Sequence, residues 1–445
     1  MKVKPQTLSG FMELLPEKQI FFQSISDKIR NSFELFGFTP LDTPIIESSE
    51  VLLAKAGGDT EKQIYRFMKG DRDLSLRFDL TVPFAKYVAK NYGQLTFPFR
   101  RYQIGKAYRG ERAQRGRFRE FYQCDVDIIG DGELDLSNEA DIPAIIYTTL
   151  NAIGIADFEI RLSNRRILNG LCEILDIADP KGVLHAVDKI YKIGDTATVE
   201  LLVKELRLAA DTANAIVEFA AAENAVAALD KFYGKNETFD RGADELREVM
   251  RQIEALGVPA THCRADLRIV RGLDYYTGTV YETFMTRHPE IGSICSGGRY
   301  DNLAEYYTDK RLPGVGVSIG LTRLFYILDE QGMLNPELST SPADVLIIPM
   351  TDDNTIALSI ATKMRTAGIR TQVYSENRKK FKARMSYADK IGVPFVALLG
   401  EDEIAQDKLT IKDMRSGEQF TASAAVIIAG IQDKLANMCN IKPIK

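Results

Sequence analysis

The stretch from Phe99 to Gly130, FRRYQIGKAYRGERAQRGRFREFYQCDVDIIG, limits what this chain can fold into more than any other part of it. It reads as a strand, a polar loop and a returning strand. On the returning strand the two-residue period places Tyr122, Cys124, Val126 and Ile128 on one face, suited to a core. The other face carries Arg119, Phe121, Gln123, Asp125 and Asp127. A ring, an amide and two carboxylates are costly to bury together unless something polar binds there. On the outgoing strand Gln103, Gly105, Ala107 and Arg109 share a face, whose two small residues would let a flat ligand lie close to the sheet. Arg109, Arg112, Arg115, Arg117 and Arg119 crowd the connecting loop, with Glu111 among them. Guanidinium forks grip phosphate oxygens in pairs, so this loop suits a phosphate-bearing ligand. A solvated charged hairpin is the ordinary alternative, and the polar inner face argues against it.

Tyr108-Arg109-Gly110-Glu111-Arg112, the basic loop and Arg119-Glu120-Phe121-Tyr122-Gln123 together resemble motif 2 of a class II aminoacyl-tRNA synthetase, in the form seen in histidyl-tRNA synthetases. Other segments carry the same resemblance. Glu17 to Gly37 reads as an amphipathic helix with Phe21, Ile25, Ile29 and Phe33 at helical spacing, followed by an extended run to Pro44. That order is similar to motif 1, which builds the dimer interface in this family. Arg271-Gly272-Leu273-Asp274-Tyr275-Tyr276-Thr277-Gly278 and Ser293 to Asp301 resemble two peptide motifs peculiar to histidyl-tRNA synthetases. Pro313 to Leu328 reads as a strand entering a helix near Gly320, with Arg323 in its first turns, and is similar to motif 3.

Size and composition bound the rest. A chain of 445 residues calls for two or three domains. No apolar run spans a bilayer, and the N-terminus lacks a signal peptide's apolar core. The five cysteines are scattered without a C-x-x-C pair, which favours free thiols in a reducing cytoplasm. A net charge of −5 does not advertise a nucleic-acid binder, although local basic patches decide such binding.

Along the chain, Leu74 to Thr81 alternates like a strand, which would put Asp79 and Thr81 on one face. Asp79 as a cap on the following helix is the other reading. Residues 165–258 are helix-rich and alanine-rich and read as an inserted helical domain, flanked by catalytic segments 1–164 and 259–334. Residues 335–342, NPELSTSP, have linker composition. In 343–445, short apolar strands alternate with helical stretches, the pattern of an α/β domain. There Arg378, Lys379, Lys380, Lys382 and Arg384 surround Phe381 and Tyr387, fit for a nucleic-acid backbone and its bases.

The resemblance implies an α+β catalytic domain on an antiparallel sheet of class II synthetase type, a helical insertion and a C-terminal α/β anticodon-binding domain. It implies activation of L-histidine by ATP to histidyl-adenylate, then transfer to the 3′ end of the tRNA for histidine, by a homodimer. No protein nucleophile is needed, because the substrate carboxylate attacks; alignment and charge stabilisation are the protein's task. By resemblance, Arg109 and Arg271 flank the α-phosphate, and Arg323 serves the adenine and γ-phosphate. Glu111 accepts from the adenine amino group and Phe121 stacks on the ring. Asp79, Leu80, Thr81 and Gln123 hold the histidine ammonium, while Asp127 and the Tyr275-Tyr276 pair define the imidazole pocket. Magnesium is expected with ATP; its ligands are not legible, with Glu111 and Glu120 the candidates. The alternatives are a non-catalytic relative of the ATP phosphoribosyltransferase regulatory subunit type and a pure tRNA-binding protein.

Overall fold

The computed structural model describes residues 3–54, 59–112, 115–270, 275–334, 341–376 and 380–439. The chain forms two compact units, Met1–Glu13 with Ser24–Met333, and Leu14–Gln23 with Leu334–Lys445. The strands of the first unit are, in chain order, β1 (Thr39–Pro40), β2 (Ile46–Ser48), β3 (Arg66–Lys69), β4 (Arg72–Leu76), β5 (Phe99–Tyr108) and β6 (Glu120–Ile129). They continue with β7 (Phe158–Asn164), β8 (Cys263–Ala265), β9 (Thr279–Met285), β10 (Ser293–Tyr300) and β11 (Gly314–Ile319).

Eight of these make one sheet in the order β1-β5-β6-β11-β10-β9-β7-β8. Neighbours are antiparallel except at the two ends, where β1 joins β5 and β8 joins β7 in parallel. The hairpin of β5 and β6 is thus a central element, as its alternation requires. Cys124, Val126 and Ile128 are fully buried on the core face. The helix Ser137–Ile153 is mostly buried, and the Tyr281 hydroxyl of β9 donates to its Glu139 carbonyl at 2.8 Å. The N-terminal helix runs Pro16–Leu35 and buries Ile25, Ile29 and Phe33, and Gly37 at φ +74° ends the turn that follows it. A separate three-stranded sheet, β2-β4-β3, leads into the helix Thr81–Asn91.

Between β7 and β8 the chain is helical throughout, from Arg165–Ile174 to Glu237–Ala255. These two helices pack closely, with Ile167, Leu171, Phe239 and Leu246 buried. In the second unit, β12 (Val345–Pro349), β13 (Thr371–Val373), β14 (Phe395–Leu399), β15 (Leu409–Asp413) and β16 (Gln419–Ala422) form a sheet in the order β13-β12-β14-β15-β16. Its first three strands are parallel and its last two antiparallel. Helices cover it, and alternate residues of β12 point into two separate cores: Val345 and Ile347 into one, Leu346 and Ile348 into the other. The basic cluster expected here lies partly outside the described residues, since Arg378 and Lys379 are not among them. Arg384 donates to the Pro349 carbonyl, and Tyr387 stands edge-on to Tyr374 at 5.3 Å. Among the described residues no helix is long and apolar enough to cross a membrane.

Candidate active site

Register builds the site. Across β6 and β11, Asp125 faces Ser318 and Asp127 faces Gly316; across β11 and β10, Ser318 faces Ser296 and Gly316 faces Gly298. The polar face of β6 therefore opens onto small residues, and a cavity of about 400 Å³ forms there. Asp79, Thr81, Arg109, Gln123, Asp125 and Asp127 line it, with Tyr275, Tyr276, Ser296, Tyr300, Ser318 and Asp188. The glycine pair is required by close approach. A Cβ at Gly316 would sit 2.2 Å from Asp127 Oδ1, and one at Gly298 would sit 2.9 Å from the Tyr276 ring. The Gly297-Gly298 pair is accordingly mid-strand in β10 rather than a turn.

Asp79 reaches the cavity by a route other than the strand alternation. β4 ends at Leu76, and Asp79 precedes the helix Thr81–Asn91, where its Oδ1 accepts from the Val82 N–H at 3.0 Å. The expectation of a strand through Thr81 is thus replaced by the capping arrangement. The other oxygen, Oδ2, is buried with no partner among the described residues. Leu80 is fully buried, and its carbonyl accepts from Arg101 Nη2 at 3.2 Å.

Asp127 is already engaged. Its Oδ1 accepts from the Tyr300 hydroxyl at 2.7 Å, and its Oδ2 lies 2.7 Å from Arg101 Nη2 in an ion pair rather than an aligned hydrogen bond. Arg101 is fully buried and stacks 4.2 Å over the Phe84 ring. Tyr275 and Tyr276 meet edge to face at 4.9 Å, and Tyr275 hydrogen-bonds with Thr81. Asp125 differs: its Oδ1 is buried without a partner among the described residues, and so is the Gln123 Oε1. The Ser318 hydroxyl links the two, accepting from Gln123 Nε2 at 2.8 Å and bonding to Asp125.

Burial dominates the electrostatics. It pushes Asp79 up to about 6, with the Val82 N–H and Arg109 opposing, and Asp125 up to about 7, with Arg101 opposing. Asp127 is raised as well, again by burial against the pull of Arg101. Three carboxylates stand against two guanidiniums, Arg101 and Arg109. Such a cavity favours a ligand that brings its own positive charge and several N–H donors.

Arg109 donates from Nε to the Phe78 carbonyl at 3.1 Å, and its guanidinium stands 5.1 Å from the Phe121 ring centroid. Arg323 is not on this cavity. It donates to the Ile291 carbonyl and lines a neighbouring groove of about 830 Å³ with Arg115, Gly116 and Arg117. Glu111 pairs with Arg117 at 3.5 Å, and Arg115 with Glu330 at 2.9 Å. Arg271 and Asp274 lie outside the described residues, as do Ala113 and Gln114 of the basic loop.

Two further expectations are corrected. Gly105 does not clear space for a ligand: a Cβ there would stand 2.6 Å from Nη2 of Arg77, a buried guanidinium that also donates to the Lys106 and Thr43 carbonyls. Glu120 lies on the opposite face of β6 from Phe121 and pairs with Lys106 at 2.8 Å, so it is no metal candidate for this cavity. Among the described residues no cluster of metal-ligating side chains is assembled.

The sequence reading did not assign Asp125, Tyr300, Ser296, Ser318, Asp188 or Arg101. Asp125 was visible in the alternation with Gln123 and Asp127. Arg101 shares the polar face of β5 opposite Asp127 and could have been read from pairing. Asp188, within the helical insertion, carried no signal.

Comparison with known proteins agrees with this geometry. The family model described as histidyl-tRNA synthetase matches residues 10–324, and the one described as anticodon binding domain matches residues 344–434. A histidine–tRNA ligase of Clostridium tetani is 51% identical over 425 residues, covering 95% of this chain and 96% of that one. One from Stenotrophomonas maltophilia is 44% identical, covering 97% and 98%. The crystal structure of histidyl-tRNA synthetase from Nostoc sp. PCC 7120 superimposes with a TM-score of 0.89 at 37% identity, over 97% of this chain and all of that one. A Bacillus halodurans structure, titled as an ATP phosphoribosyltransferase regulatory subunit/histidyl-tRNA synthetase, matches with a TM-score of 0.72 at 22% identity over 89% of this chain and 99% of that one, which speaks to the fold alone. A cavity made for a cationic, hydrogen-bond-rich ligand, set on a class II sheet in a chain matched nearly end to end, places the protein in the histidyl-tRNA synthetase family of aminoacyl-tRNA ligases.

Proposed function

We infer that this chain joins L-histidine to the α-phosphorus of ATP, releasing pyrophosphate, and passes the histidyl group to the terminal ribose of its tRNA. The observation that carries the residue-level reading is that one cavity holds both a guanidinium and buried acceptors unpartnered among the described residues. Asp79 Oδ2 and Gln123 Oε1 have no hydrogen-bond partner among the described residues, and Arg109 lines the same cavity. In this reading the histidine ammonium binds Asp79, Thr81 and Gln123. Asp127, Tyr275 and Tyr276 frame its imidazole end. The substrate carboxylate then faces Arg109.

Arg109 and Arg271 take the α-phosphate, so charge that grows on its oxygens is met by fixed donors. Phe121 stacks on adenine, Glu111 accepts from its amino group, and Arg323 serves the terminal phosphates. Magnesium enters with the ATP phosphates. The C-terminal α/β unit contacts the anticodon. The protein works as a homodimer through the segment around Pro44, in the cytoplasm, where Cys124, Cys172, Cys263 and Cys295 stay as buried thiols.

Histidine-dependent exchange of pyrophosphate into ATP tests the first step, and charging of a transcript of the tRNA for histidine tests the second. Purified protein that performs neither would overturn the reading.

A further inference from the structure

We propose that the corner joining two helices of the insertion, Asp188 to Tyr191, is a positioning element for amino-acid binding: Tyr191 is clasped by the sheet, and through it Asp188 is held at the wall of the cavity. This rests on the function inferred above and brings a pair of residues from outside the sheet into the same site. The helix Pro180–Val187 ends at Asp188, and the next, Ile190–Leu206, starts just beyond it. The Asp188 N–H bonds to the Leu184 carbonyl and the Ile193 N–H to the Lys189 carbonyl, so the backbone stays helical around the corner. Asp188 and Tyr191, three apart, therefore share one side of a turn. Val187 and Ile190, both buried, root that turn. Asp188 lines the amino-acid cavity, and Tyr191 lines the neighbouring groove that holds Arg323.

Tyr191 is 38% exposed, yet it is held on several sides. Its hydroxyl donates to Asp266, the residue that follows β8. Its ring is faced by two guanidiniums, Arg268 at 4.5 Å and Arg161 of β7 at 5.2 Å. Asp266 also accepts from Arg268 Nε at 2.9 Å and pairs with Arg264 at 3.2 Å, while Arg161 and Arg264 share Glu159. Three guanidiniums and two carboxylates thus converge around one phenol. None of these six side chains lines the amino-acid cavity, so the clasp reaches that cavity through the corner that carries Asp188. Three residues past Tyr191 the helix breaks at Gly194, with φ +80° and ψ 169°. The break frees the direction of the clasped turn from that of the longer helix after it.

The test is a double-mutant cycle read by binding. Isothermal titration of L-histidine into the full-length protein needs no turnover. Asp188→Asn removes one half-buried charge from the wall facing a cationic ligand and should weaken binding roughly tenfold. Tyr191→Ala unseats the corner and should weaken it as much. Tyr191→Phe, which keeps the ring between the guanidiniums, should fall between Ala and wild type. Tyr191→Leu carries the same expectation as Ala should that variant not fold. Residues that act through one another are not additive, so Tyr191→Ala combined with Asp188→Asn should bind within about threefold of Asp188→Asn alone. In pyrophosphate exchange the KM for histidine should rise in step with the binding loss while kcat stays within about threefold of wild type. A purely structural role would instead lower kcat with the active fraction and leave KM where it was. Full additivity in the double variant, unchanged histidine binding in Asp188→Asn or in both Tyr191→Ala and Tyr191→Leu, or a loss of kcat with KM unmoved, overturns the proposal. A wild-type protein with no histidine-dependent exchange would instead overturn the function on which it rests.

Discussion

Replacing Arg101 by Met should be among the most destabilising single changes in the catalytic unit. The guanidinium is fully buried, pairs with Asp127 at 2.7 Å, donates to the Leu80 carbonyl and covers Phe84. Met keeps much of the volume and the contact with the ring, so the loss is chiefly electrostatic. It strands the Asp127 carboxylate in a site where it is only 2% exposed. Breaking a buried pair from one side costs about 3–5 kcal/mol. The unit holds about 320 residues, and unfolding entropy near 2 cal/mol/K per residue converts that to a fall of about 4–7 °C in melting temperature. The sign with pH follows. Asp127 already titrates above its ordinary value, and losing Arg101 raises it further. A folded acid with a raised pKa loses stability as pH rises through that value, so the gap to wild type should widen from pH 5 to pH 8. Arg101 Nε and Nη1 make no hydrogen bond among the described residues, so the pair is incompletely satisfied. Arg101→Met with Asp127→Asn should therefore recover at least half of the loss. Scanning calorimetry of the single and double variants at several pH values is the assay. A single variant that melts within 1 °C of wild type, or a double variant no better than the single, refutes the reasoning.

Three further outcomes are expected. Arg109→Ala should slow adenylate formation by roughly 100- to 1000-fold while sparing transfer from preformed adenylate, with Lys rescuing only partly; Arg271→Ala should behave alike, and single-turnover kinetics separates the steps. The KM for histidine should fall between about pH 5.5 and 7.5, because Asp79, near 6, and Asp125, near 7, hold a cation only once ionised; Asp79→Asn should flatten that profile while raising KM. A chain ending at Ser341 should retain some pyrophosphate exchange and lose most charging at limiting tRNA, which steady-state charging assays would reveal.

Alternation carried the sequence reading where both faces of a strand had distinct solvents. β6 was legible because core residues and polar residues strictly alternate along it. The same rule overran at Leu74 to Thr81, because β4 stops at Leu76 and the four residues after it are all buried: Phe78 and Leu80 enter the core while Asp79 turns to cap the next helix at Val82. Gly105 was misjudged because what fills its space, Arg77, comes from the segment just after β4 and leaves no local trace. The commitment of Asp127 to Arg101 and Tyr300 depends on cross-strand register, which one sequence does not encode in any short window. Arg323 shows the reverse limit: its motif was legible, and its place in a separate groove was not.

The cluster of Arg101, Asp127, Tyr300 and Gly316 also restricts how this sheet can drift over generations. Any side chain at 316 meets the Asp127 carboxylate at 2.2 Å, and either charge alone is stranded when its partner changes. Substitutions here are accessible only as coordinated sets, so single-step random mutagenesis should find these positions closed while libraries that vary them jointly should return folded, wholly uncharged combinations at 101 and 127.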